Sequence, residues 1–261
     1  MKKPLLYLLS LSIVTSILVL GWQFYTHQSY TWSGRGLQNG EAKVAIILDD
    51  VGGDKEVVAR LLELPYPLTF SIIPRSTYAH ELSQDIWHAG KEVMLHMPME
   101  AKDKNLSKPY IIKLDKNMPA TEIRHNLDAA MAELDFVCGI NNHMGSAFTK
   151  NKKLVTVLMQ YIRKQNIYFI DSRTNYSNPT RALARKWGVP YAARDVFLDD
   201  QPGKDYVFAQ LNRLKTMALQ NGLAIGIGHI QKKTTISALQ QALPSIEEQG
   251  IKLVFVSEIV K

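Results

Sequence analysis

The stretch Val44-Ala45-Ile46-Ile47-Leu48-Asp49-Asp50-Val51-Gly52 runs five apolar residues into two adjacent carboxylates and then turns at Gly52-Gly53. A short apolar run bounded by turn residues predicts a buried strand of a parallel sheet. Successive side chains on a strand point to opposite faces, so Asp49 and Asp50 are expected to differ in environment. Two like charges at the mouth of an apolar strand are costly unless a cation or catalysis uses them. The plainer reading of one such Asp is a cap on the helix that follows.

Working outward, apolar strand-like runs alternate with helix-like patterns from Lys43 to the end of the chain. Strand runs are read at 44–48, 68–73, 93–95, 136–140, 167–170, 189–193, 223–227 and 251–256. Helical patterns separate them, one of them opened by Thr121 as a plausible cap before Glu122. This rhythm predicts an α/β fold, a distorted or incomplete (β/α) barrel of seven to eight parallel strands. No sequence repeat or low-complexity segment accompanies it.

Before that domain (43–261) come an apolar segment and a linker. Lys2-Lys3 precede the uncharged run Leu5–Trp22, which suits a signal peptide or a signal anchor within residues 1–25. No clean small-x-small cleavage site lies near Leu20-Gly21-Trp22, which leans towards an anchor. Positive-inside logic exports the rest, to a periplasmic or extracytoplasmic location with membrane contact through the N-terminal segment if it is uncleaved. Residues 26–42, rich in Ser, Gly, Gln and Asn, read as a linker. The formal charge of +7 falls by two to +5 without Lys2 and Lys3, and no Lys/Arg block stands out, so nucleic acid is not an expected partner. The single Cys138 excludes an intramolecular disulfide and reads as a small buried thiol.

In a (β/α) barrel the chemistry collects where strands end. Those positions hold Asp49-Asp50, Pro74-Arg75, His96 to Glu100, Asn141 to Ser146, Asp171-Ser172-Arg173, Arg194-Asp195 and His229. Three of the seven His fall there, and with a carboxylate they form the ligand set of a zinc-like site with an open position. Glycine next to His229 leaves room for a substrate near the backbone, and Gly145 lets the chain turn after His143. Asp199-Asp200, followed by Gln201-Pro202-Gly203, reads as a solvated turn.

Four segments together, Ile47-Leu48-Asp49-Asp50-Val51-Gly52, Leu95-His96-Met97-Pro98-Met99-Glu100, Asn141-Asn142-His143-Met144-Gly145-Ser146 and Gly226-Ile227-Gly228-His229, resemble the divergent polysaccharide deacetylases, a remote branch of the NodB-type carbohydrate esterases. The resemblance runs from about Lys43 to the C-terminus. It implies a divalent metal, usually Zn2+, with Asp49 as general base, Asp50 and His96 as metal ligands and His229 as general acid. NodB enzymes place a second ligand His four positions after the first, where this chain has Glu100. The third ligand therefore lies between Glu100 and His143, with His143 preferred. The base-orienting Arg of NodB enzymes has no counterpart in the His143 segment, and Arg173, two residues after Asp171, is the substitute considered. Asn142 and Asp171 complete the supporting candidates.

The implied reaction is metal-dependent hydrolysis of N-acetyl groups on an envelope amino-sugar polysaccharide, peptidoglycan-like or chitin-like. Water made acidic by the metal would lose its proton to Asp49, and His229 would protonate the departing amine. The alternative is a secreted carbohydrate-binding or scaffold protein that keeps the metal site without catalysis, a reading favoured by Glu100 and the missing Arg. A metal-free glycoside hydrolase would need two spaced carboxylates and leaves the three His without a purpose.

Overall fold

The computed structural model describes residues 41–261 except 104, 106–108 and 176, so the expected signal or anchor segment and most of the linker lie outside the described residues. The strands are β1 (Ala42–Val51), β2 (Leu68–Ile72), β3 (Glu92–Met99), β4 (Val137–Met144), β5 (Tyr168–Asp171), β6 (Tyr191–Ala193), β7 (Val196–Phe197), β8 (Leu223–His229) and β9 (Ile251–Leu253). Between them run α1 (Lys55–Leu62), α2 (Ala79–His88), α3 (Ala120–Met131), α4 (Lys152–Gln165), α5 (Thr180–Trp187), α6 (Lys204–Asn221) and α7 (Lys233–Glu248). The sheet order is β6-β5-β4-β3-β2-β1-β8-β7, with β9 beside the start of β1, and every strand pair is parallel.

The expected incomplete barrel is therefore present: eight strands curve round, and the two end strands do not pair with each other. Arg194 and Asp195 carry the chain across that seam. The Arg194 N–H donates to the Asp171 carbonyl (3.0 Å) and the Asp195 N–H to the Ile225 carbonyl (2.9 Å). Two short strands flank the seam where the sequence reading had one run ending at Ala193. Two-residue β7 is too short to leave a pattern in the sequence.

Alternation along each strand divides the core in two. Val44, Ile46 and Leu48 of β1, with Leu68 and Phe70 of β2, pack against the helices. Ala45 and Ile47 instead join Met94, Ile170, Ile225 and Ile227 in a second cluster without residues of α1–α7, which fills the concave side of the sheet. Val254, Val256 and Ile259 belong to that cluster and close the barrel at the end where the strands begin. Glu92 holds this closing segment, accepting from Thr69 Oγ1 (2.8 Å) and from the Ser257 N–H (3.3 Å). Cys138 lies half-buried, its thiol donating to the Val93 carbonyl (3.1 Å); burial and the charge of Glu92 push it up to about 12, so it stays an unreactive thiol.

Local details correct the sequence reading. The helix cap after β1 is Asp54, whose carboxylate accepts from the Val57 N–H (3.0 Å), so neither Asp49 nor Asp50 is spent as that cap. Helix α3 begins one residue before Thr121, with Pro119 in the extended cap position and no side-chain cap, because the proline ring offers no acceptor. Strands β3 and β4 run on through His96 and His143 to Met99 and Met144, as their mutual pairing extends over that whole length. Met97 and Met99 pack on the helix side, away from the barrel mouth.

Candidate metal centre

The inward rows end in polar residues. On β1 the series Ala45, Ile47 is continued by Asp49; on β3 Met94 by His96; on β8 Ile225 and Ile227 by His229. Asn141 and His143 take the same parity on β4, and Ser71 on β2. The mouth of the barrel is thus a polar layer on top of an apolar one.

Asp50 breaks the rule. Simple alternation would turn it away from Asp49, yet it adopts φ 63° and the β1–β2 register slips between Leu48 and Val51. This bulge re-aims the side chain, and both carboxylates reach one imidazole. His96 Nε2 lies 3.3 Å from Asp50 Oδ1 and 3.6 Å from Asp49 Oδ2. The two environments do differ, as expected, although through the bulge and not through alternation. Burial pushes the Asp49 carboxyl above the usual carboxylate range, overriding the pull of His96, His229 and the Asn141 amide. Burial acts in the same direction on Asp50, but His143 and His96 at its side hold it well below that range.

His143 Nδ1 completes the group, 2.9 Å from Asp50 Oδ1 and 3.0 Å from His96 Nε2. For tetrahedral coordination with bonds of about 2.1 Å, ligand atoms sit about 3.4 Å apart, so the spacing suits one small cation. Asp50 Oδ1 is buried and receives no hydrogen bond, although both nitrogens are close. An orphaned acceptor facing two imidazole nitrogens is the expected signature of a cation site. Asp50, His96 and His143 also form the candidate metal-holding cluster among the described residues.

Asn141 organises the inner wall. Its Nδ2 donates to Asp49 Oδ1 (2.8 Å), which turns its Oδ1 towards Ser71 Oγ (2.7 Å) and His96 Nδ1 (2.6 Å), both donors. With its proton on Nδ1, a neutral His96 keeps the Nε2 lone pair towards Asp50 and His143. Burial lowers the His96 pKa, but Asp49 and Asp50 outweigh it and raise it to about 9, so the site favours positive charge. The His143 pKa is lowered by burial and by the charge of His96, against the pull of Asp50.

On the neighbouring strand β8, His229 lies in register with Asp49. His229 Nδ1 donates to Asp199 Oδ1 (2.7 Å), and Asp199 Oδ2 accepts from the His229 N–H (2.7 Å) and from Thr235 Oγ1 (2.7 Å). Asp199 is fully buried, so the solvated turn expected at Asp199-Asp200 is corrected for the first of the pair. The missed signal was the run Val196-Phe197-Leu198 leading into Asp199, the same apolar-to-carboxylate pattern as in β1. Burial lowers the His229 pKa, but the hydrogen bond and charge of Asp199 raise it above the usual imidazole value. Gly228 serves packing and not a substrate: a Cβ there would lie 2.8 Å from Thr235 Cγ2 and 3.5 Å from Leu198 Cδ1. Gly145 does turn the chain after His143, at φ 89°.

The other candidates stand apart from the cation group. Glu100 is held by Lys116, through Nζ (2.8 Å) and the backbone N–H (2.7 Å). Asp171 accepts from the Arg173 N–H, Asn178 Nδ2, Thr180 Oγ1 and Tyr191 OH, a buried network beneath the loop after β5. Arg173 points to Asp195 (4.0 Å) and does not orient Asp49; Asn141 makes that contact. Asn142 braces the loops after β4 and β5, accepting from the Ser172 N–H (2.9 Å) and donating to the Met144 carbonyl (2.6 Å).

The family model for divergent polysaccharide deacetylases matches residues 46–260, and the chain belongs to that family. It is 34% identical over 201 residues to the Escherichia coli K12 protein YibQ, a match covering 76% of this chain and 61% of YibQ. It is 30% identical over 242 residues to an uncharacterized Haemophilus influenzae protein, covering 91% of this chain and 80% of the other. The crystal structure of ATU2773 from Agrobacterium tumefaciens C58 superimposes with a TM-score of 0.80 at 24% identity, covering 88% of this chain and 92% of that one. More remote in sequence, the Bc1960 peptidoglycan N-acetylglucosamine deacetylase gives a TM-score of 0.55 at 13% identity, covering 86% of this chain and 90% of that one. BA3943, a CE4 family pseudoenzyme from Bacillus anthracis, gives 0.53 at 17% identity, covering 84% and 65%. These structural likenesses define a NodB-type fold.

Proposed function

We propose that the protein is a metal-dependent N-deacetylase acting on an amino-sugar polysaccharide of the cell envelope, peptidoglycan-like or chitin-like. The observation that carries this reading is the convergence of Asp50 Oδ1, His96 Nε2 and His143 Nδ1 within 2.9–3.3 Å of one another, beside Asp49, with His229 in register with Asp49 on the next strand. Asp50, His96 and His143 would hold a divalent cation, with Zn2+ suiting two imidazoles and a carboxylate. When bound, such a cation supplies Lewis acidity towards water and an acyl oxygen.

The chain's own groups divide the remaining work. Asp49, kept proton-hungry by burial and oriented by Asn141, takes the proton of the attacking water. His229, kept protonated by Asp199, gives its proton to the departing sugar amine. Asp199 fixes the ring so that Nε2 is the donating nitrogen. The polar layer lies over the apolar barrel interior, which shields these charges from bulk water on one side. The apolar run Leu5–Trp22 behind Lys2-Lys3 supports export to the envelope, with the N-terminal segment as a membrane contact if it stays attached.

A scaffold or carbohydrate-binding role without catalysis is favoured by Glu100, which stands where the resembled enzymes carry a ligand and is engaged by Lys116 instead. Acetate release from chitin oligomers and peptidoglycan fragments separates the two readings. Release by the wild type and its loss, by a factor of about 10³ or more, in Asp49→Asn is expected for the enzyme. Stoichiometric metal without acetate release on either substrate would move the assignment to the binding role.

A further inference from the structure

We propose that Tyr110 is a positioning residue for His143, and that Glu100 anchors the loop that delivers it; this rests on the reading of Asp50, His96 and His143 as a cation site. The Tyr110 hydroxyl lies 2.7 Å from His143 Nε2, and the two rings meet edge to face with centroids 5.1 Å apart. His143 is the one histidine of the group that turns Nδ1 inward, towards Asp50 Oδ1 and His96 Nε2. A neutral imidazole that offers Nδ1 to a cation must carry its proton on Nε2. The oxygen of Tyr110 is placed to accept that proton's hydrogen bond. Burial and the charge of Asp50 raise the Tyr110 pKa, so the hydroxyl stays neutral and adds no second negative charge to the site. Asn141 performs the equivalent task for His96, holding the proton on Nδ1 and leaving Nε2 free. The two ligand imidazoles are thus oriented from opposite nitrogens by two different residues.

What brings Tyr110 there is the long connection between β3 and α3. Beyond Tyr110 the chain buries Ile112 and Leu114 in the helix-side core, while Ile111, just before them, stays 80% exposed. Leu114 then pairs with the end of β3: its N–H donates to the Pro98 carbonyl (2.9 Å), and its carbonyl accepts from the Glu100 N–H (2.8 Å). The Glu100 carboxylate takes both the Lys116 ammonium (2.8 Å) and the Lys116 N–H (2.7 Å). The Glu100 carbonyl accepts from the Ala147 and Phe148 N–H groups (3.1 and 3.2 Å), in the segment that follows His143. One residue therefore ties the Tyr110 loop to the His143 loop. Glu100 is not a missing ligand; its side chain and backbone fix the partner of the ligand that is used.

The test is metal binding, read without any turnover. Apo full-length wild type, Tyr110→Phe and Glu100→Ala are titrated with Zn2+ against a chromophoric chelator and with Co2+ by visible absorption. Outer partners of ligating imidazoles typically account for 10–100-fold in metal affinity. Tyr110→Phe is expected to weaken Zn2+ by that factor and to shift the Co2+ bands, with its metal-free melting curve unchanged. Glu100→Ala is expected to weaken Zn2+ in the same direction by a smaller factor. Wild-type affinity and wild-type Co2+ bands in Tyr110→Phe would overturn the inference and leave the cation site standing. A wild type that binds neither ion would instead overturn the cation reading, and this inference with it.

Discussion

Asp199 is where a single residue changes the chemistry. By holding His229 Nδ1 it raises the imidazole's pKa, so the proposed acid stays protonated to higher pH than an ordinary histidine. Removing the carboxylate removes the cause of that rise. Asp199→Asn is therefore expected to move the alkaline limb of the kcat/KM profile to lower pH, towards about 6.5 or below, and to reduce the maximum rate. A pH–rate profile on an N-acetylated chitin oligomer, with the alkaline limb unmoved, would contradict this role. At this scale the sequence was partly legible. Asp49, Asp50, His96, His143 and His229 stood out as charged or coordinating residues at strand ends. Asn141 and Asp199 did not, because their importance lies in whom they touch. Asn141 meets Asp49, His96 and Ser71 only once three strands are side by side. Arg173 stands at a strand end as the substitute for the base-orienting Arg of the resembled enzymes, but its side chain points to Asp195.

At the scale of elements, the bulge in β1 and the close approach of α7 to β8 decide the geometry. A bulge with a non-glycine residue at φ 63° is not written in the period-2 pattern, so alternation misdirected Asp50. Gly228 sets the other approach. Gly228→Ala would push a Cβ to 2.8 Å from Thr235 and disturb the Thr235–Asp199 hydrogen bond. Urea denaturation is expected to show a loss of about 1–3 kcal/mol for this overpacking. The same variant should also pull the alkaline limb of the rate profile down, since Asp199 is displaced. A variant as stable as wild type would mean that the helix start yields at no cost. Helix boundaries were legible to within a few residues where an amphipathic stripe marked them. The two-residue β7 and the extended tails of β3 and β4 were not, since tertiary pairing and not local pattern sets their length.

The described barrel separates stability from the proposed chemistry along its axis. One end is closed by Val254, Val256 and Ile259 under the apolar interior, and the other opens on the polar layer. Ile259→Ala is expected to cost about 2–5 kcal/mol in urea denaturation while leaving Zn2+ affinity within about twofold of wild type at temperatures where the fold holds. Equal losses of stability and affinity would show that the two ends are coupled. The parallel rhythm of strands and helices made the barrel legible from the sequence, because each unit repeats the same burial pattern. Asp50, His96 and His143 are the proposed holders of one divalent cation. Elemental analysis of the purified protein after dialysis measures that ion. About one equivalent per chain is predicted for wild type, falling to a small fraction in Asp50→Ala and His143→Ala; a folded wild type without stoichiometric metal after Zn2+ loading, or variants that retain it, would contradict the account.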